Sequence, residues 1–572
     1  MKSHITITII AVLVLISSSD YTMAVEVTDF ESGGDTAGQY EKYEISFNLD
    51  QEFRNPFDPK EIDIQAVFTG PSGAVHTAFA FCTQDFERVV REVLYEKRKG
   101  EKRVWKLRNY EPLSERYWQV RFAPPETGEY RCHLNIKTRR GEYRYPAEGE
   151  ITFHCVPSGN RGYLKVDQKN RRYLRFDDGS PYFGIGFNSV NTAGALYGYD
   201  VPSYEFIPKA AAEGATIGQI DLCQGDYLEW TAEERRLRPF PYYADYQNLG
   251  RYNLKTASQI DEALEAAAAS DLMLRFSFYH WSDFMDVWAD YSPGFIANPY
   301  NTANGGPCET PIKFFTDFQA EKYQQQVFRY IAARWGYSPH ILCWELWNEV
   351  DNVPEFAVRP VQQWHNRSAE YLRSIDPNHL ITTSCIRPDV TVQMFSGFDA
   401  DIITFHCYVQ ETEEHPMQMV ENMVKFSKMV EKFGKPVIPG EFGMFTDRGD
   451  ALFFNPGEDS EGLGLHNQMW TSLMMGNAST GMPWAWEEQI EKFNLYHHSR
   501  GISRFVAGED LAGFEHFGEE GIKVVCRKRN TETPHIDYPS RSEKREGVRP
   551  AGRYIKKQLD EARAYGLSGP DK

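Results

Sequence analysis

Trp344-Glu345-Leu346-Trp347-Asn348-Glu349-Val350-Asp351 and Pro436-Val437-Ile438-Pro439-Gly440-Glu441-Phe442-Gly443 are two apolar, strand-like runs, and each delivers a glutamate near its end. A carboxylate at the exit of a buried strand is costly unless it has a partner or a task. Two such carboxylates facing each other are the minimum equipment for hydrolysing a glycosidic bond with retention, one as acid/base and one as nucleophile. Whether they do face each other depends on the fold that the rest of the chain adopts.

From Tyr163 onward, apolar strand candidates alternate with amphipathic helical stretches. The strand candidates are 182–188, 215–221, 272–279, 341–348, 379–385, 401–408, 435–442 and 481–487. Between them lie helical patterns such as 254–270, 318–335, 361–375, 417–433 and 465–475. Eight strands alternating with helices over such a length predict a (β/α)8 TIM barrel with enlarged loops. An open doubly wound sheet would favour a glycine-rich phosphate turn after an early strand, and the sequence has none. In a barrel, catalytic groups sit at the C-terminal ends of strands. On this count Glu349 follows strand four and Glu441 ends strand seven, so the two carboxylates point across one barrel mouth.

At 572 residues the chain predicts two or three domains. Residues 25–156 carry short alternating runs separated by turns such as Thr69-Gly70-Pro71-Ser72-Gly73, the pattern of an N-terminal β-sandwich. The charged stretch 88–106 reads as a solvated hairpin. The barrel is expected over 163–515, with a partly irregular C-terminal extension at 516–572 that holds a strand at 521–526 and a helix at 555–564. Residues 1–24 read as a signal peptide, with Lys2, a short apolar run from Ile5 to Ile16, and small residues at Thr22-Met23-Ala24. That predicts a secreted or periplasmic protein with no membrane span after signal removal.

A formal net charge of −19 argues against nucleic acid or an anionic membrane as the main partner. The nine cysteines show no CxxC and no metal-like spacing with histidine, so no metal and no cofactor are called for. Cys132–Cys155 is the pairing expected if a disulfide forms. Cys343, Cys385 and Cys407 lie in apolar strand runs and read as buried thiols.

Asn348-Glu349 after an apolar strand, together with Gly440-Glu441-Phe442-Gly443 on strand seven, resembles the clan of retaining (β/α)8 glycoside hydrolases. The similarity is greatest to family 5, the cellulase and mannanase group. His280 at the end of strand three, His406-Cys407-Tyr408 on strand six, and Trp484 and Trp486 after strand eight agree with it. The resemblance implies Glu349 as acid/base, Glu441 as nucleophile and Asn348 on the sugar 2-hydroxyl. It also implies Tyr408 bonded to the nucleophile, His280 and His406 on hydroxyls or neighbours, and a tryptophan stacked on sugar. Residues two apart on a strand share a face, so both Trp484 and Trp486 are candidates. Gln219 is a departure, because the family usually places an arginine near the end of strand two. The N-terminal region, with Asn55-Pro56-Phe57 and Phe122-Ala123-Pro124-Pro125, resembles the Ig-like domain of unassigned function found before such barrels in bacterial secreted proteins.

The loops after strands two and three carry Tyr227, Trp230, Tyr242, Tyr243 and Tyr246, then Trp281, Phe284, Trp288 and Tyr291. Aromatic residues on extended loops suit a glycan cleft or pocket. The expected partner is therefore a neutral β-linked polysaccharide or oligosaccharide, with mannan or glucan implied by the family; no oligomeric state is implied. Two other readings remain open at this point: a non-catalytic carbohydrate-binding protein that has kept the barrel, and a transglycosylase.

Overall fold

The computed structural model describes residues 25–97, 101–188, 203–222, 249–285, 294–410, 415–447, 452–454, 459–484, 486–517 and 566–568. Two facing sheets come first. One orders Val27–Ser32, Tyr43–Leu49, Tyr117–Phe122 and Phe81–Thr83; the other orders Thr36–Gly38, Ile151–Val156, Gly128–Thr138, Ile62–Thr69 and Val75–Phe79. Alternation explains the layering. Along Tyr43–Leu49 and Ile62–Thr69 every second side chain is buried, as a strand with one face on a core requires. Tyr43, Phe153 and Tyr130 stack in that core, and Phe68 stacks on Phe122.

The expected Cys132–Cys155 disulfide is not formed. Both thiols are free and buried. Cys132 pairs with Ile151, and Cys155 with Gly128, on neighbouring strands. The two cysteines are thus four positions out of register, about 13 Å at the rise of a strand, too far for a bridge. Cys343, Cys385 and Cys407 are buried free thiols, as the apolar runs predict.

The charged stretch does form a hairpin, Phe86–Lys97 with Glu101–Pro112. Its base is anchored rather than solvated: Arg88 lies over the Tyr204 ring and pairs with Glu262 at 3.0 Å, and the Tyr110 hydroxyl donates to Glu262 at 2.6 Å. A stronger tie between sandwich and barrel centres on Asp261 in helix Leu254–Ala269. Its carboxylate accepts from Arg121 of the sandwich at 2.9 Å, from Arg334 at 2.6 Å and from the Trp335 indole at 2.7 Å. Burial would raise this carboxyl, but the two guanidinium groups outweigh it and hold it well below the ordinary range. Asp261→Ala leaves two buried cations facing each other. It is expected to cost about 3–5 kcal/mol, as breaking one side of a buried ion pair does, read by urea denaturation of the full chain.

The second region is the barrel. Strands one to five are Gly186–Phe187, Ile217–Asp221, Met273–Ser277, Ile341–Glu345 and Leu380–Thr382, all parallel and in sequence order. Strands six and seven, Ile403–Gln410 and Val437–Asp447, pair in parallel. Backbone bonds from Asp401 to Ile381 and from His406 to Cys385 join five to six. Helices Ser203–Ala212, Leu254–Ala269, Phe318–Trp335, Val358–Ile375, Pro388–Gly397, His415–Glu431, Leu463–Met474 and His497–Val506 alternate with the strands along the chain.

Two details differ from the sequence reading. Tyr182 belongs to a small sheet with Leu164–Val166 and Leu174–Phe176, so strand one is shorter than expected. The eighth position is filled by an extended segment, 478–484, and not by a regular strand over 481–487. It bridges Gly184 to Ser479 and Phe442 to Pro483, which closes the ring between strands seven and one.

Period-two alternation sorts the barrel interior into layers. Ile217, Met273, Cys343, Leu380, Ile402, Ile438 and Ala478 form an apolar plug. One step further along the strands stand Gln219, Arg275, Glu345, Thr382 and Thr404, all buried. The plug excludes water from below, and the polar layer underlies the mouth. The expected signal peptide at 1–24, strand at 521–526 and helix at 555–564 lie outside the described residues. Among the described residues no helix is long and apolar enough to cross a membrane.

Candidate active site

Strand four ends at Glu345, and the chain then turns so that Glu349 takes a left-handed backbone, φ 50° and ψ 52°. For a non-glycine residue this stores roughly 1–3 kcal/mol of strain, which surrounding contacts must hold in place. They do. The Glu349 N–H donates to Ser384 Oγ at 3.0 Å, and the Val350 N–H donates to the Ser384 carbonyl. Glu441 is placed by a second irregularity. Phe405 pairs with Pro439 but His406 pairs with Glu441, so Gly440 is the extra residue of a bulge. Bulges re-aim the side chains next to them.

The two irregularities bring the carboxylates together. A carboxylate oxygen of Glu349, one of Glu441 and a ring nitrogen of His406 all lie within 4.8 Å of one another. His406 Nδ1 is 2.7 Å from Glu349 Oε1 and 3.2 Å from Glu441 Oε2, so one imidazole N–H serves both carboxylates. Asn348 Nδ2 donates to Glu441 Oε1 at 2.9 Å, and the Tyr408 hydroxyl donates to Glu441 Oε2. The other Glu349 oxygen, Oε2, accepts from Asn352 Nδ2 at 2.8 Å.

The electrostatics separate the two acids. Burial pushes the Glu349 carboxyl up, and the negative charges of Glu441 and Asp351 add to it, while His406 pulls it back; the balance raises it to about 7. Burial acts on Glu441 in the same sense, but the His406 charge and the hydrogen bonds from His406, Tyr408 and Asn348 outweigh it and hold it at about 2. His406 is raised to about 10, because the flanking carboxylates outweigh its burial. The pair is thus one protonatable acid beside one permanent anion, the division of labour that paired carboxyl groups need. No other grouping of His, Cys, Asp and Glu among the described residues brings three ligand atoms this close. With His406 a cation, the cluster holds one imidazolium between two carboxylates.

The remaining predicted positions surround this centre. His280 pairs through a backbone bridge with Asn348, and its Nδ1 meets Ser282 at 2.7 Å. Burial pushes that ring down to about 4, so it is neutral. Trp484 keeps 9% of its surface. Trp486 has none and packs on Phe206 at 4.3 Å and near Tyr496. The shared-face expectation therefore fails for this pair, because the backbone is already helical at Trp486. Phe284 packs inward against Trp347 and Phe314 instead of lining a cleft. Tyr227, Trp230, Tyr242, Tyr243, Tyr246, Trp288 and Tyr291 lie outside the described residues. Gln219 is buried beside Arg275 in register on strand three. Sequence reasoning missed Asn352 and Ser384: neither falls in a motif, and only the turn after strand four and the end of strand five bring them to Glu349.

A closed parallel barrel with a carboxylate pair and a shared imidazolium at its mouth defines the class of protein. Residues 231–486 match the family described as GH family 5 beta-mannosidase-like, and residues 36–137 match a domain of unknown function, DUF5060. Residues 231–486 are thus similar to a glycoside hydrolase family 5 domain, and the region before them to that domain of unknown function. Mannan endo-1,4-beta-mannosidase F of Aspergillus clavatus is 26% identical over 188 residues, covering 30% of this chain and 42% of that protein. Mannan endo-1,4-beta-mannosidase A of Hypocrea jecorina is 25% identical over 204 residues, covering 35% and 44%. The chain thus spans about two fifths of the length of these curated relatives. Among solved structures, a family 5 mannosidase from Rhizomucor miehei aligns over 57% of this chain and 86% of its own, at 16% identity and a TM-score of 0.41.

Proposed function

We propose that this chain is a secreted retaining glycoside hydrolase that cleaves β-mannosidic bonds in a polysaccharide or oligosaccharide by double displacement. The observation that carries the reading is the carboxylate pair: oxygens within 4.8 Å of each other fit a retaining site, for which roughly 5–5.5 Å is expected, and not the wider inverting one. The family description and the names of the curated relatives support mannose as the sugar. In the first step Glu441 attacks the anomeric carbon while protonated Glu349 gives its proton to the leaving oxygen. In the second step Glu349, now a carboxylate, takes a proton from water as that water displaces Glu441. Asn348 Oδ1, buried with no partner among the described residues, is free to accept a sugar 2-hydroxyl. Tyr408 and His406 hold Glu441, His280 supports Asn348, and Trp484 supplies the apolar face. The same reading divides the chain into a leader at 1–24, a sandwich domain at 25–156, a barrel domain at 163–515 and an extension at 516–572.

The pH dependence follows from the acid/base. The first step needs Glu349 protonated, so kcat/KM on an aryl β-mannoside should be level in mild acid and fall as pH rises through about 7. On a substrate whose leaving group needs that proton, Glu349→Gln should be slow at every pH and lose the basic limb; a limb that persists would assign it to another group. The reading as a whole is tested by product analysis on β-mannans, β-glucans, xylans and galactans, with sugar acceptors added in parallel. Release of mannose or manno-oligosaccharides to water is expected. Binding without turnover would mark a carbohydrate-binding protein, and acceptor products outrunning hydrolysis a transglycosylase.

A further inference from the structure

Arg275 is the most conspicuous polar side chain of the barrel that the mechanism above leaves unused. It sits on strand three, is fully buried, and belongs to the layer just above the apolar plug. Charges in such a place are expensive even when paired. Its Nε faces Glu345 Oε2 at 3.4 Å, and Glu345 on strand four is equally buried. Its Nη2 donates at 3.2 Å to the carbonyl of Gly440, the bulge residue directly before Glu441. The same carbonyl accepts from Asn188 Nδ2 at 2.8 Å. Any Cβ at position 440 would collide with Arg275 Nη1 and Thr404, so glycine is required there by close approach.

We propose that Arg275 is a positioning residue for Glu441: with Glu345 as its counter-ion, it grips the Gly440 carbonyl from inside the barrel and so sets the bulge that aims the carboxylate. The inference rests on the reading of Glu441 as nucleophile. A bulge can relax in several directions, and a shift of about 1 Å at a reacting atom can cost on the order of 10²-fold in rate. Two side chains from strands one and three fix the peptide that precedes Glu441, which removes that freedom before substrate arrives. The groups facing Glu441 are His406 and Tyr408 from strand six, Asn348, Glu349 and Glu345 from strand four and its turn, and His280 from the end of strand three. Its low proton affinity depends on the bonds from His406, Tyr408 and Asn348, and those bonds depend on where the bulge points it.

The test is a 13C NMR titration of glutamate-labelled full-length protein, with the Glu441 signal assigned by its loss in Glu441→Gln. Arg275→Met, and Arg275→Met/Glu345→Leu in which both buried charges become apolar together, should each raise the Glu441 pKa by about one pH unit or more. Glu345→Gln, which removes the counter-ion but leaves Arg275 within reach of Gly440, should move it less than either. Aryl β-mannoside turnover should fall about 10²-fold in the two variants lacking Arg275. An unmoved Glu441 titration in the folded double variant would overturn the proposal, and so would an equal rise in Glu345→Gln. Should Arg275→Met fail to fold, the double variant decides. Should the wild type turn over no glycoside while the titrations behave as stated, the positioning role stands and the hydrolase reading falls.

Discussion

Glu441→Ala should lower turnover of aryl β-mannosides by on the order of 10⁵-fold, the scale on which removal of an activated nucleophile acts. The variant should still fold, since Glu441 is tied to the rest through side-chain bonds to His406, Tyr408 and Asn348 that water can replace. The informative part of the experiment is rescue. Azide fits the space left by the carboxylate and attacks the anomeric carbon from the same side. One displacement then occurs instead of two, with Glu349 still protonating the leaving group, and the product is the α-glycosyl azide. Recovery of activity with that stereochemistry ties the lost group to the nucleophile's face of the sugar.

Glu349→Ala should behave in a way no other variant shares. Substrates whose leaving group needs protonation should lose about 10²–10⁴-fold, the usual contribution of general acid catalysis. A dinitrophenyl β-mannoside should still form the glycosyl-enzyme readily, so the second step becomes limiting and a burst of dinitrophenolate precedes a slow steady state. Added azide attacks the intermediate on Glu441 and gives the β-glycosyl azide, the opposite anomer from the first variant. The pair of anomers separates the two roles without reference to any structure. The raised carboxyl of Glu349 and the depressed one of Glu441 have the same origin as these phenotypes: a shared imidazolium bonds to both, but the bonds from Tyr408 and Asn348 go to Glu441 alone.

Much of this site could be read from the chain because its parts lie in short apolar runs with a regular period. Strands four and seven announce themselves and deliver Glu349 and Glu441 near their ends, while the resemblance to family 5 picks out Asn348 beside Glu349 and His406 and Tyr408 on strand six. The count of alternating elements then places the two glutamates across one mouth. What escaped depends on contacts between residues distant in sequence or on local departures from the period. Ser384 and Asn352 meet Glu349 only because strand five passes beside a left-handed turn. Trp486 shares a strand face with Trp484 on paper, yet the chain turns helical there and buries it. Cys132 and Cys155 lie on neighbouring strands, but register keeps them apart. Arg275 reads as one charge in an apolar strand, and only barrel closure brings it to Gly440 on strand seven.

As the nucleophile, Glu441 should form a covalent bond to the sugar, and that bond can be trapped. An activated 2-deoxy-2-fluoro β-mannoside slows both steps but departs fast enough for the first to proceed. The expected result is an intact-protein mass increase of one fluorosugar, with a single labelled peptide carrying the sugar on Glu441. A label on another residue, or no label from a protein that hydrolyses mannosides with inversion, would contradict it.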